Sequence, residues 1–195
     1  MKPSRPIKLL GKRVNLCPLD EKDLPLFHSW VSDLSITKTT SQSPDIFTLE
    51  GEKQWLKQIK KQKNECVLAI VAKKTGKTIG NIGLRNIDKT HRSARLGIII
   101  GDKHYWGKGY GREVIALMLN FAFNVLNLHS INLSVFAYNE RALRSYKAVG
   151  FKECGRQREA HFWGGKYYDI IKMDILAQEF KNSRIKDLIL ESPKA

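Results

Sequence analysis

Apolar residues recur along this chain with two different periods, and each period predicts one type of element. Alternating or continuous apolar runs are typical of strands, and they cover residues 14–19, 66–72, 78–87, 94–101, 131–137, 167–175 and a run from Phe151. Apolar residues three and four positions apart are typical of amphipathic helices, and they follow Asp20, Thr48, Arg112 and Asn139. The chain is therefore predicted to mix strands and helices along its whole length.

The order of these elements predicts an α/β (α+β) fold with one mixed sheet. Short polar turns join several successive strands into hairpins, which pair antiparallel, whereas the helix from Arg112 to Leu128 makes a crossover between strands. We expect about six or seven strands, mostly antiparallel, with about four flanking helices. Met1–Lys12 is predicted to be a loose lead-in and Ser35–Ile46 a loop. Asn120 is expected on a narrow wet edge of the crossover helix.

A glycine-rich segment separates the buried strand at 94–101 from the crossover helix. It reads Trp106-Gly107-Lys108-Gly109-Tyr110-Gly111-Arg112. The first N–H groups of a helix have no internal partner, and glycines let an anion approach them closely. The segment therefore predicts an anion site. It lacks the Gly-Lys-Ser/Thr end of a P-loop, and its glycine spacing is not that of the dinucleotide fingerprint.

Charge adds to the argument for an acidic ligand. The 195 residues suit a single domain, and they carry 34 Lys+Arg against 19 Asp+Glu, a net charge of +15. Such an excess favours a phosphorylated cofactor, a nucleic acid or another anionic partner, or else it is a solvated surface. A nucleic-acid-binding module would interleave aromatic residues with Lys and Arg on an exposed sheet. No such stripe is evident, so nucleic acid is the less favoured partner.

Cysteine usage and hydropathy bear on the compartment. The three cysteines, Cys17, Cys66 and Cys154, are scattered. Their spacing suits neither a disulfide framework nor a metal site, so we expect a reducing environment and no metal. No run approaches the ~20 apolar residues that span a bilayer, and no signal peptide is evident. A cytoplasmic location without membrane association is the resulting expectation.

A second motif, read with the first, identifies a family resemblance. Residues 139–151, Asn-Glu-Arg-Ala-Leu-Arg-Ser-Tyr-Lys-Ala-Val-Gly-Phe, match the second signature of the GNAT N-acetyltransferase family. Trp106–Gly111 matches that family's acetyl-CoA pyrophosphate loop. The segment Gly165–Asp169 with Met173 resembles the RimJ/RimL-type and spermidine-acetyltransferase branch. The resemblance covers roughly residues 10–178, so residues 1–178 are expected to form one domain and 179–195 a charged tail.

The resemblance implies a GNAT fold, splayed after its fourth strand, that binds acetyl-CoA. In such a fold the strand at residues 98–100 and the glycine loop hold the cofactor, and the tyrosine at position 146 is the general acid. The cofactor-binding residues implied in this way are Ile98, Ile99, Ile100, Trp106, Gly107, Lys108, Gly109, Tyr110, Gly111, Arg112, Asn139, Ala142 and Tyr146. Asn139 is equally suited to a plain helix N-cap, and Tyr146 to a core aromatic.

The acceptor side departs from the branch in two ways. The branch often has a glutamate before the loop in an Ala-Glu-Leu/Phe pattern, whereas this chain has Ala94-Arg95-Leu96, and arginine cannot act as a base. The base then lies elsewhere, or water removes the proton, or the amine is already neutral. The acidic loop of polyamine acetyltransferases is also absent between Ser35 and Phe47, which argues against a polycationic acceptor. Candidate acceptor-binding residues are Trp30, Asp33, Arg95 and His161.

The expected function is direct acetyl transfer from acetyl-CoA to a primary amine, either a protein N-terminus or a small molecule. Two alternatives stay open at this point. One is a non-catalytic acyl-CoA-binding protein of the same fold, which stays open because the arginine at position 95 cannot act as a base. The other is the nucleic-acid-binding module. A homodimer is also left open.

Overall fold

One eight-stranded sheet forms the centre of the computed structural model, which describes residues 5–40 and 46–181. Its strands, in chain order, are β1 Leu9–Leu10, β2 Val14–Pro18, β3 Cys66–Ala72, β4 Thr78–Asp88, β5 Ser93–Ile100, β6 Ser130–Phe136, β7 Lys152–Trp163 and β8 Lys166–Leu176. They lie in the order β1-β2-β3-β4-β5-β6-β8-β7. All neighbours pair antiparallel except β5 and β6, which are parallel. The predicted mixed, mostly antiparallel sheet is confirmed, with eight strands rather than six or seven.

Five α-helices flank the sheet in the described part of the chain. They are α1 Leu24–Val31, α2 Leu34–Thr37, α3 Leu49–Lys61, α4 Tyr110–Asn124 and α5 Glu140–Lys147. Thr48 caps α3 as its sequence indicates, since its side chain accepts a hydrogen bond from Gly51 N–H. None of these helices combines the length and apolarity that a bilayer crossing requires.

Three local predictions were wrong. The supposed lead-in contains β1, which pairs with β2 through Leu9 and Leu16, so its order comes from a partner strand and not from its own pattern. The supposed loop contains α2, because Asp33 caps that turn and Ile36 is buried. Asn120 is 1% exposed rather than wet. Its amide donates a hydrogen bond to the Ala116 carbonyl at 3.1 Å, which makes burial tolerable.

The two faces of the sheet are covered by different helices. Helix α4 packs on one face through an apolar stripe that includes Val114, Met118 and Ala122, all 0% exposed. Helices α1 and α3 cover part of the other face with a smaller cluster around Phe27 and Leu56. Side chains of a strand alternate between faces. In β3 and β5, for example, Ile70 and Ile98 pack in the cluster around α4, whereas Ala69 and Ile99 pack in the cluster of α1 and α3.

The parallel pair β5 and β6 separates soon after it forms. Only residues 93–95 of β5 pair with residues 130–132 of β6. From Leu96 to Ile100, β5 is paired with β4 alone, and β6 continues against β8 to Phe136. The predicted splay is therefore present, and it opens a gap in the middle of the sheet.

Candidate active site

The gap between β5 and β6 leads into a cleft of about 700 Å³. Its walls come from β5, β6, the glycine loop and α5. All but one of the residues predicted to bind the cofactor line this cleft, namely Ile98, Ile99, Ile100, Trp106, Gly107, Gly109, Tyr110, Gly111, Arg112, Asn139, Ala142 and Tyr146. Lys108 is the exception. It is exposed, and its carbonyl accepts a hydrogen bond from Arg13 on the far side of the loop.

The glycine loop presents the N-terminus of α4 to the cleft. Gly107 and Gly109 have φ values of 72° and 79°, in the left-handed region that glycine adopts without strain. Gly109 is the N-cap, and the first main-chain bond back into the turn runs from Glu113 N–H to the Gly109 carbonyl at 3.3 Å. The preceding N–H groups of α4 are therefore available to an anion.

Arg13 braces this loop from behind, a role that the local sequence did not suggest. Its guanidinium donates to Glu113 Oε2 and to the Lys108 carbonyl, both at 2.8 Å. It also lies over the Tyr110 ring at 4.5 Å. Burial by itself would raise the pKa of Glu113, but hydrogen bonds from Arg13 and from Val14 N–H lower it on balance. Glu113 therefore stays ionised and holds the brace together.

Cationic side chains surround the phosphate end of the cleft. The Arg141 guanidinium stacks 3.7 Å from the centre of the Trp106 ring, and the Trp106 indole N–H donates to the Ile100 carbonyl at 2.6 Å. Arg112 in the first turn of α4 also lines the cleft. Arg141 was not among the predicted residues, because only the packing of α5 on the loop brings it there. The loop N–H groups and these two guanidiniums together suit a diphosphate.

Tyr146 stands on α5 at the inner wall of the cleft. Asn139 caps that helix, since its Oδ1 accepts a hydrogen bond from Ala142 N–H at 3.2 Å. Tyr146 is 7% exposed, and burial raises its pKa to about 12. Its hydroxyl has no hydrogen-bond partner within the described residues. The group is thus a protonated, unengaged O–H donor beside the gap in the sheet.

The structure separates the four candidate acceptor residues. Arg95 lines the cleft. Trp30 is buried between α1 and the sheet and lines a second cavity of about 220 Å³. Asp33 caps α2 and pairs with Lys103 at 2.7 Å, and hydrogen bonds from Lys103 and Ser35 lower its pKa to about 2. His161 stacks on Phe136, with ring centres 3.7 Å apart, which places it one layer behind the lining.

Sequence reasoning missed several charged residues of the cleft wall. Arg85 on β4, Glu65 just before β3 and Lys172 on β8 all line it. Arg85 and Lys172 come from strands that were predicted only as parts of the sheet, and Glu65 immediately precedes such a strand. No local signal could mark them, because strand register alone decides which residues of a strand face the gap.

Comparison with known proteins agrees with this geometry. The sequence profile of the acetyltransferase (GNAT) domain matches residues 13–152. The chain belongs to the GNAT acetyltransferase family. Its similarity to the Vibrio cholerae serotype O1 spermidine N(1)-acetyltransferase is 32% identity over 89% of this chain and 98% of that protein. For the Escherichia coli K12 spermidine N(1)-acetyltransferase the identity is 29% over 86% of this chain and 88% of that protein.

Solved structures show the same GNAT fold. The Vibrio cholerae spermidine N-acetyltransferase in complex with CoA and spermine superimposes with a TM-score of 0.80 at 29% identity, covering 87% of this chain and 99% of that one. The predicted spermidine-acetyltransferase-like resemblance is confirmed; its RimJ/RimL part stays a prediction. The chain is therefore an N-acetyltransferase that uses acetyl-CoA to acetylate an amine.

Proposed function

We propose that this GNAT enzyme transfers acetyl directly to a small primary amine, with Tyr146 as the general acid. One observation carries the proposal. The buried Tyr146 side chain shares a cleft with the glycine loop and with the unpaired edge of β5, and its hydroxyl has no partner among the described residues. Because its pKa is about 12, this hydroxyl holds its proton at neutral pH and can donate it to a leaving thiolate.

The residues present fit acetyl-CoA. The N–H groups of α4 and the guanidiniums of Arg112 and Arg141 would hold its diphosphate, and the loop glycines leave room for close approach. When bound, acetyl-CoA supplies the activated acetyl thioester. The main chain of β5 from Leu96 to Ile100 lacks a partner strand on the β6 side. Its N–H groups are the donors we assign to the cofactor arm and to the developing oxyanion.

Proton movement follows from the residues around the gap. The amine nitrogen bonds to the acetyl carbon as the carbon–sulfur bond breaks. The Tyr146 hydroxyl protonates the sulfur, the neutral amine loses one proton, and solvent returns a proton to the Tyr146 phenolate. Arg95 cannot accept that proton. Glu65 stands two strands away from β5, so we assign removal of the amine proton to water.

A small amine is the acceptor we favour over a protein N-terminus. The two relatives described above are named for acting on spermidine, which supports a small-molecule acceptor in general. Of the four candidate acceptor residues, Arg95 is the one on the cleft wall.

The homodimer, the exclusion of nucleic acid, the cytoplasmic location and the single domain of residues 1–178 stay predictions. Most of the expected tail, residues 182–195, lies outside the described residues.

The test combines acetyl-CoA binding with thiol release. Calorimetry should show acetyl-CoA binding, and a panel of amines should release CoA thiol in proportion to acetylated product detected by mass spectrometry. Saturable binding without acceptor-dependent thiol release would favour the acyl-CoA-binding alternative. Absence of binding would refute the assignment of the cleft.

Loss of the Arg13 brace should weaken cofactor binding. In Arg13→Ala the loop loses a charge-assisted hydrogen bond to Glu113 and a hydrogen bond to the Lys108 carbonyl. We expect the Kd for acetyl-CoA to rise about tenfold, the effect of ~1.5 kcal/mol. Because Arg13 acts through the loop, KM for acetyl-CoA should rise while kcat at saturation changes little.

Two variants control the Arg13 experiment. Arg13→Lys keeps the positive charge but loses the planar guanidinium, so its Kd for acetyl-CoA should lie between those of wild type and Arg13→Ala. Lys12→Ala removes the neighbouring exposed cation and should leave Kd unchanged. An unaltered Kd in Arg13→Ala would show that the loop holds its shape without the brace.

A further inference from the structure

The acceptor side of the cleft carries an arginine pair that nothing in the described protein neutralises. Arg85 on β4 and Arg95 on β5 are directly opposite each other in the antiparallel register. Side chains in such a pair start ~5 Å apart, and like charges placed there destabilise a sheet. Both arginines line the cleft, and neither makes an ion pair or hydrogen bond within residues 5–40 and 46–181.

Strand alternation places Arg95 on the face opposite α4. Ile98 and Ile100 pack with the cluster around α4, whereas Ile99 packs with the cluster beneath α1 and α3. Arg95, Gly97 and Ile99 share this second face. A Cβ added at Gly97 would meet nothing within 4 Å, so there is empty space next to Arg95 on this face of β5. An acceptor approaching the gap from this face passes Arg95.

The cofactor phosphates do not account for this pair. The glycine loop is tied to the Ile100 end of β5 through the Trp106 indole. Arg95 lies five residues earlier, about 17 Å along the strand. Arg112 and Arg141, which line the cleft beside the glycine loop, are the residues that we assign to the phosphates. Arg85 and Arg95 are both exposed to solvent, so an anionic group of a second molecule can reach them.

The net charge of the cleft wall also favours an acceptor that carries an anionic group. Among described residues, the lining carries six cationic side chains against Glu65, but Arg144 is paired with Glu140 at 3.0 Å, and Arg112 and Arg141 are assigned to the phosphates. The acceptor side keeps Arg85, Arg95 and Lys172 against Glu65. Glu65 forms no ion pair with Arg85, and its Oε2 is buried without a partner in the described chain. A polycation entering here would meet net positive charge, which costs affinity and slows association.

We propose that the acceptor is a small primary amine that also carries a carboxylate or a phosphate, and that Arg95 and Arg85 bind this anionic group. The proposal rests on the N-acetyltransferase function above and names its substrate class. Guanidinium groups bind both anions through paired N–H donors. With the anion held beside Gly97, the amine of the same molecule extends along β5 toward the gap and Tyr146. This acceptor class differs from the polyamines for which the relatives are named.

Matched acceptor pairs test the proposal by thiol release. Glucosamine and glucosamine 6-phosphate differ by a phosphate, and β-alanine and β-alaninamide differ by a carboxylate charge; spermidine is the polycationic arm. We expect kcat/KM about ten- to a hundredfold higher for the member with the anionic group than for its partner without it, the range of a charge-assisted hydrogen bond. Whichever pair shows this preference identifies the anion as phosphate or carboxylate.

Arginine variants connect that preference to the site. Arg95→Ala should abolish the preference while leaving the Kd for acetyl-CoA within twofold, and Arg95→Glu should reverse it in favour of spermidine. Arg158→Ala, an exposed arginine on β7 outside the cleft lining, should keep the preference. Spermidine as the best acceptor of wild-type protein, or a preference that survives in Arg95→Ala, would overturn the proposal.

A binding measurement decides the matter even if no acceptor in the panel turns over. The protein is first saturated with CoA, so that its glycine loop is occupied. It is then titrated with inorganic phosphate, and the melting temperature is measured at each phosphate concentration. Stabilisation should occur in wild type and Arg158→Ala, with at least a tenfold weaker apparent affinity in Arg95→Ala. Equal phosphate affinity in all three proteins would refute the arginine site while leaving the acetyltransferase function intact. Failure to bind CoA at all would refute the proposed function, and this inference with it.

Discussion

Tyr146→Phe is expected to lower kcat by ~10² to 10⁴, the usual contribution of a positioned general acid. The phenyl ring keeps the contacts of Tyr146 with α5 and with Phe151, whose ring centre is 5.8 Å away. Because the hydroxyl has no partner within the described residues, its removal leaves no orphaned buried group. The melting temperature and the Kd for acetyl-CoA should therefore stay near wild type. Thiol release measures kcat, and scanning and titration calorimetry measure the melting temperature and the Kd.

The pH profile supplies a second readout of the same group. Burial disfavours the phenolate, so the folded-state pKa of Tyr146 is about 12, above the ordinary value of ~10. The hydroxyl is therefore protonated throughout the working range, and kcat should show no loss attributable to it below about pH 11. A descending limb near pH 8 in wild type that disappears in Tyr146→Phe would contradict this assignment.

The tyrosine experiment has an internal control. Tyr167→Phe makes the same chemical change at the exposed β7–β8 hairpin, where Tyr167 is 64% exposed. It should not alter kcat. If Tyr146→Phe retained wild-type turnover, the leaving thiolate would have to take its proton from solvent, and Tyr146 would be a packing residue of α5.

Gly111→Leu is expected to raise the Kd for acetyl-CoA by about a hundredfold, because overpacking a site costs ~1–3 kcal/mol. Gly111 lies in the first turn of α4 and lines the cleft. A Cβ there would meet only Ile100 Cδ1, at 3.5 Å, which is ordinary contact. Its missing side chain therefore serves the ligand and not the packing of the protein. Calorimetry with acetyl-CoA measures the loss directly.

Stability distinguishes this effect from misfolding. Leucine and alanine favour a helix over glycine by up to ~1 kcal/mol, so the melting temperature of Gly111→Leu should be unchanged or higher. Gly111→Ala should give a smaller loss of affinity in the same direction. Gly51→Ala, in the first turn of α3 and away from the cleft, is the matched control. Full affinity in Gly111→Leu would mean that the cofactor does not contact this turn.

Elements with a strong local signal were predictable from the sequence. The strand at 66–72 has the bounds that its apolar run indicates, and Thr48 and Asn139 cap their helices. In each case the deciding interaction lies within a few residues of the chain. Hydrophobic period, a capping side chain or a glycine loop can then specify the backbone without distant partners.

Elements that depend on a distant partner were not predictable. Strand β1 has order because of β2. Arg13 reaches Glu113 across 100 positions of sequence. Nothing in the residues around Arg13 indicates this contact, because the crossover through α4 creates it.

The sequence by itself indicated most of the residues that we propose hold the cofactor. The loop from Trp106 to Arg112 and the helix that carries Tyr146 are each continuous segments, so their motifs can be recognised in the sequence without knowledge of the fold. The acceptor site that we propose depends on tertiary structure. Arg85 and Arg95 become a pair through the register of β4 and β5, and the gap beside them exists because β6 leaves β5 after Arg95. Register and divergence are relations between strands distant in sequence, and side-chain periodicity within one strand does not encode them.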